Sequence, residues 1–357
     1  MTMTFRRRTL VSMLLVTLAC GLFASAATAQ VPSDRRLPPD VFAYVSAPSV
    51  PELKARWNKS SRAKLLNDPA LADVLGQITG KLDELAGDAE KELGVKPAEL
   101  LAMLEGEISI ALLNTGGNRI AVTAFLDFGK QRKTVDALVV KLTKAATDKG
   151  AVLTETMFQG TQINTLTPKA NGNGGAINGS LNYFIKETYI VLGSDRTALE
   201  AVLVRWDGKH ERTLADNQVY SYIAKKCRDA DRQPALSWFV DPLSMIRTAL
   251  TAGGGANLQT AMILNFLPQL GLEKLKGIGG SYDLAAGDFD TVSRVMMYVE
   301  TPRTGVIDVF RFPAMQQVPP TWVAADIDGY LALNWDVDGA FTAIENLVDS
   351  QSAPGTL

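Results

Sequence analysis

From Glu107 onward the apolar residues stop recurring at helical spacing and begin to alternate. Ile108, Ile110 and Leu112 alternate with smaller residues, and Thr115-Gly116-Gly117-Asn118 supplies turn chemistry. Ile120, Val122, Ala124, Leu126 and Phe128 then share one face of a second strand. Period-2 runs joined by so short a turn pair antiparallel. The pattern returns in three further pairs of runs: 152–158 with 162–166, 181–185 with 189–192, and 276–282 with 292–299. Single buried strands are expected at 41–46 and 236–240. Helical segments separate the pairs. The expected fold is therefore α+β: a mostly antiparallel sheet, or sheets, of hairpin pairs with helices packed on one side.

Helix starts are marked by their caps. Ser49-Val50-Pro51-Glu52 is a capping box with proline in the first turn. Asp68-Pro69 and Asp241-Pro242 combine a carboxylate cap with the same proline. The first of these precedes Leu71, Val74, Leu75 and Ile78 at helical spacing. Asp195, Asp216 and Asp338 are expected to cap three more helices. The run from Gln131 to Asp148 places Val135, Leu138, Val139, Leu142 and Ala146 on one stripe. Ala170-Asn171-Gly172-Asn173-Gly174-Gly175 is expected to be an exposed loop.

The N-terminus reads as a signal peptide over residues 1–29. Arg6, Arg7 and Arg8 precede an uncharged apolar run from Leu10 to about Ala27. Ala27-Thr28-Ala29 has the small-x-small pattern of a cleavage site, which puts the cut between Ala29 and Gln30. An uncleaved anchor is the alternative, since the run nearly suffices to span a bilayer. Arg7-Arg8 also fits a twin-arginine signal, so the export route stays open. Residues 30–36 read as a loose mature N-terminus and 37–310 as an α+β region, either one domain or two similar halves. Residues 311–357 read as a strand–helix element. There Pro319-Pro320-Thr321-Trp322-Val323, Tyr330 to Trp335 and a helix bearing Phe341, Ile344 and Leu347 echo the opening at Pro38-Pro39. That element looks like the start of another unit.

Composition limits the chemistry. The chain of 357 residues has one histidine and two cysteines, and only Cys227 lies beyond the leader. Loss of the leader leaves 33 basic against 38 acidic residues, a mildly acidic chain with no cationic field for nucleic acid. No other stretch is long and apolar enough to cross a membrane. His210 lacks a second histidine with which to bind zinc. Lys225-Lys226 beside Cys227 would favour a thiolate, but a buried structural thiol is the simpler reading. Ser60, Ser61 and Lys64 offer a serine–lysine spacing, which a solvated helix turn also explains. Gly277-Ile278-Gly279-Gly280 lacks the strand–loop–helix setting of a dinucleotide site. No metal or cofactor site is therefore expected. The remaining candidates for ligand contact are the aromatics Trp322, Tyr330 and Trp335, able to stack on a sugar ring, with the carboxylates Asp326 and Asp328.

Leu37-Pro38-Pro39-Asp40, Tyr44-Val45-Ser46, Val50-Pro51-Glu52-Leu53, Trp57, Ser61, Leu65 and Asp68-Pro69-Ala70-Leu71 together resemble the N-terminal signature of a bacterial family of exported proteins, common among planctomycetes and catalogued as a domain of unknown function. The motif spans some 35 residues. The resemblance implies export to the periplasm or beyond, and brings no catalytic residue, cofactor or activity. Three functions stay open: a non-catalytic interaction protein with an envelope partner, a small-ligand or glycan binding module, and a hydrolase that does without histidine.

Overall fold

The alternating runs become ten strands: β1 (Val41–Ala47), β2 (Ile108–Asn114), β3 (Ile120–Asp127), β4 (Val152–Phe158), β5 (Thr161–Thr167), β6 (Leu181–Lys186), β7 (Tyr189–Gly193), β8 (Leu236–Val240), β9 (Leu275–Ala286) and β10 (Phe289–Val299). The computed structural model describes residues 30–71, 87, 97–116, 119–169, 179–251, 258–315, 318–324 and 330–351. The leader with Ala29, the helix positions Val74, Leu75 and Ile78, the loop 170–175, and Asp326 and Asp328 lie outside the described residues.

One sheet takes up all ten strands in the order β10-β9-β8-β1-β2-β3-β7-β6-β5-β4, and every neighbouring pair is antiparallel. The fold is thus α+β, as the hairpin pattern requires. Among the described residues the helices are α1 (Val50–Lys59), α2 (Ser61–Leu66), α3 (Pro97–Ala102), α4 (Arg132–Asp148), α5 (Arg196–Val204), α6 (Gln218–Cys227), α7 (Pro242–Thr251), α8 (Leu258–Gln269), α9 (Val306–Val309) and α10 (Val337–Gln351). No helix among these residues is long and apolar enough to cross a membrane.

The core lies between the sheet and α5 and α6. Phe125, Phe184 and Val191 meet Leu199, Val202 and Leu203 of α5, while Tyr44 and Phe239 meet Tyr220 and Ile223 of α6. Tyr220 sits edge-on to both Tyr44 and Phe239, with ring centroids 5.8 and 5.5 Å away, the geometry that aromatic quadrupoles favour. The glycine cluster of β9 lets α6 come this close. A Cβ on Gly277 would lie 2.7 Å from Val219 and 2.8 Å from Phe239. On the other side of the pleat Val45, Ile110 and Val122 are exposed.

Local caps mostly follow the sequence. Ser49 Oγ accepts from the Glu52 amide at 3.3 Å, Asp195 from Thr197 at 2.8 Å and Asp241 from Ser244 at 2.9 Å. Two expectations fail. The α6 cap is Asn217, which accepts from the Val219 and Tyr220 amides; Asp216 turns back to the Thr213 amide and hydroxyl, ending a short 3-10 turn. The α10 cap is Asp336, which accepts from the Gly339 amide, so Asp338 lies inside the first turn. Both errors are shifts of one or two residues between neighbouring polar side chains, where local sequence discriminates poorly.

A buried ion pair ties α1 to β9 across more than 200 residues of chain. Arg56 donates to Asp283 at 2.6 Å and to the Gln233 carbonyl at 2.9 Å, and also pairs with Glu52. Arg56 and Asp283 are both buried. Removing one member strands a charge, whereas replacing both by apolar groups does not. Asp283→Ala is expected to cost about 3–5 kcal/mol in urea unfolding, and Arg56→Met with Asp283→Leu to recover most of it. Equal losses in the two variants would contradict this.

Candidate functional site

The sequence-singled residues separate into exposed and buried sets. Trp322 is 80% exposed, Tyr330 42% and Trp335 43%. They lie on the C-terminal arm, built from α9, the segment after it and α10. Val306 joins the arm to the body by donating its amide to the Leu270 carbonyl at 2.9 Å, and α9 packs against α10. Trp335 donates its indole Nε1–H to the Val309 carbonyl at 2.9 Å, Asn334 Nδ2 donates to the Pro313 carbonyl at 3.1 Å, and the Asp336 amide donates to the Arg311 carbonyl at 3.0 Å. The last two contacts run in antiparallel sense.

Tyr330–Trp335, read from sequence as a strand, forms no ladder. Its exposure nonetheless alternates as on a strand, and the alternation is inverted. Leu331 and Leu333 are 92% and 67% exposed, while Ala332 and Asn334 are half-buried. Phe310, Phe312, Val337 and Phe341 are also exposed on this arm. Scattered apolar residues are ordinary on a surface; a run with its large side chains outward is not.

Other candidates become structural. Ser60 caps α2 through the Ala63 amide at 3.2 Å, so the Ser60, Ser61 and Lys64 spacing is a helix turn. Cys227 is buried beneath β9, where its carbonyl accepts from the Ser281 hydroxyl, and burial pushes its thiol pKa up, away from the reactive thiolate. His210 Nδ1 accepts from the Arg212 amide at 3.1 Å within its loop.

One cluster has no counterpart in the sequence reading. The Glu107 carboxylate, just ahead of β2, accepts from the Ser33 hydroxyl at 2.6 Å, the Ser33 amide at 3.0 Å and the Ser46 hydroxyl at 2.9 Å. Tyr44 and Tyr189 reach it at 3.4 Å, and Ser109 donates to Ser33 at 2.7 Å. Beside it the buried Arg36 guanidinium stacks 3.8 Å from the Trp206 ring and 4.6 Å from Tyr189, with a looser ion pair to Glu187 at 3.6 Å. Two nitrogens of Arg36 take no hydrogen bond among the described residues. No pattern of spacing predicts this group, because its members meet only through the sheet register. Ser33 and Glu107 have the proximity of a hydroxyl and its base, yet Ser33, Tyr44, Ser46, Glu107 and Ser109 are all buried. The chain itself occupies the carboxylate's acceptor positions, so the cluster pins the 33–37 turn to the sheet.

A polar groove of about 970 Å³ opens elsewhere, lined in part by Asp40, Asn114, Asp241, Arg247 and Asn265. Its Asp241 carboxylate is already engaged by the Ser244 amide and hydroxyl. Among the described residues no three histidine, cysteine or carboxylate side chains converge on a metal position. Comparison with protein-family models, curated proteins and solved structures finds no match.

Burial raises the pKa of Glu107 against the lowering effect of its Ser33 and Ser46 donors, and raises that of Asp34 against its Tyr220 bond. A carboxyl raised on folding holds its proton more tightly in the native state. Its contribution is full below the unfolded value and is lost as pH rises through the folded one. Urea unfolding followed upward from about pH 4.3 is expected to show a steeper loss of stability for the wild type than for Glu107→Gln. A wild type that gains stability relative to Glu107→Gln over that range would contradict the assignment.

Proposed function

We propose that this chain is an exported, envelope-associated interaction protein without catalysis of its own, and that it docks its partner on the C-terminal arm. The inverted alternation of Leu331, Leu333 and Trp335 carries the reading. Leaving large apolar side chains in water forgoes about 1.5–3 kcal/mol each relative to burial. Export rests on the charged, apolar and small-residue order of residues 1–29. A glycan-binding reading draws on the exposure of Trp322 and Tyr330, whose rings are open for stacking.

A photo-crosslinking residue at position 331, in cells expressing the full chain, is expected to yield a discrete protein adduct. The same residue at Val140, an exposed apolar position on α4, is expected to yield none. Equal labelling at both positions, or none at either, removes the docking reading. A sugar adduct at 331 in its place selects the glycan reading. N-terminal sequencing of the cellular protein is expected to begin at Gln30, and a start at Met1 removes export with cleavage.

A further inference from the structure

We infer that the leader is cut from an unfolded chain: the Ala29–Gln30 bond is hydrolysed before the domain closes, so export runs by the route that threads unfolded chains and not by the twin-arginine one. This rests on the reading of residues 1–29 as a cleaved leader. The observation behind it is how soon after the cut the chain enters the fold. Only Gln30, Val31 and Pro32 separate the cut from Ser33. Ser33 and Leu37 are fully buried and Arg36 nearly so.

That burial is assembled from distant parts of the domain. Glu107 holds Ser33 through its amide and its hydroxyl, at 3.0 and 2.6 Å. The same hydroxyl meets Tyr44 of β1 at 2.8 Å and Ser109 of β2 at 2.7 Å. Tyr220 of α6 donates to Asp34 at 3.0 Å. Arg36 stacks on Trp206 and on Tyr189 of β7. The Leu37 carbonyl accepts the Leu214 amide at 3.0 Å. The partners run from Tyr44 to Tyr220, so the 33–37 turn has no seat until β1, β2, β7 and α6 have come together. Once seated, it does not leave alone. Withdrawing it takes from the buried Glu107 two of its three donors within 3.0 Å, and a buried acceptor left unmet is costly.

Chain reach then decides the order of events. A fully extended chain spans at most about 3.6 Å per residue, which puts the cut within roughly 11 Å of the first fully buried residue. On the other side, the apolar run of the leader ends near Ala27. Thr28 to Pro32 is all the chain between a membrane-held segment and a closed body, roughly 18 Å at full stretch. A protease must take up the residues on both sides of its bond, and where those are folded it waits for them to open. A twin-arginine leader delivers its passenger already folded, with this bond held between membrane and domain. A chain threaded unfolded offers the bond freely. Water adds across it under the host's signal peptidase, leaving a carboxylate on Ala29 and an amine on Gln30, and the turn docks afterwards.

The test uses the full precursor and a purified bacterial signal peptidase in detergent. Precursor diluted from urea straight into the enzyme is expected to give a product beginning at Gln30. Precursor first allowed to refold is expected to be cut at least about tenfold more slowly. A Gly-Ser spacer of about ten residues between Val31 and Pro32, adding roughly 33 Å at full extension, is expected to return the refolded precursor to the unfolded rate. In cells, depleting the general secretory translocase is expected to leave precursor that starts at Met1, and deleting the twin-arginine translocase to change nothing. Should the precursor not refold, the cell experiment decides alone. Equal rates for the refolded and unfolded forms, a spacer without effect, or export that needs the twin-arginine translocase overturns the inference and leaves leader cleavage standing. No cut in either form, with a cellular protein that starts at Met1, removes the cleaved leader and the inference with it.

Discussion

The fold depends on the ladder between β1 and β8. These strands are separated by almost 200 residues, yet they pair over Ala43–Ser46 and Ser237–Val240 as the third and fourth strands of the sheet. Every other ladder joins strands closer in sequence, and four of the eight are hairpins. Closing so long a loop costs entropy, though the cost rises only logarithmically with length. What offsets it sits beneath the seam. Tyr44 and Phe239, opposite one another in the ladder, both pack on Tyr220 of α6. Arg56 and Asp283 add a second long-range tie. The seam is therefore fixed by a contact that exists only when both sets of strands are formed.

What was legible in the sequence follows from that division. All ten strands could be placed: eight because a hairpin carries its alternation and its turn in one short window, as at 108–128, and β1 and β8 as short apolar runs. The helices starting after Ser49, Asp195 and Asp241 were legible for the same reason, each cap lying within three residues of the amide it satisfies. Asp216 and Asp338 misled because another cap-competent side chain stood one or two positions away and tertiary context chose between them. The Glu107 cluster was invisible. Ser33, Ser46 and Ser109 look like ordinary polar residues until β1 and β2 come into register and the 33–37 turn folds over them. Trp322, Tyr330 and Trp335 were singled out as aromatics, but their significance rests on exposure, which local pattern does not report.

The buried polar cluster and the exposed arm obey one rule from opposite sides. A carboxylate taken out of water must be met by donors from the chain, and Glu107 is met by two from Ser33 and one from Ser46. Apolar side chains left in water meet no such demand, but each forgoes burial energy that a partner can supply. The first arrangement fixes where the chain enters the domain at Ser33; the second leaves an unsatisfied surface where it closes on α10.

The sheet edge at β10 contrasts with the arm. β10 is a long edge strand with Val295 and Met297 exposed, which on a flat strand would invite pairing. Its ladder shifts register between Tyr298 and Val299, and Arg294 on it is held by Asp229 at 2.9 Å. Past its end, Glu300 pairs with Lys276 at 3.3 Å. Irregularity and charge are the usual defences of an edge. Leu331 and Leu333 have neither: the stretch from Tyr330 to Trp335 contains no charged residue and no proline.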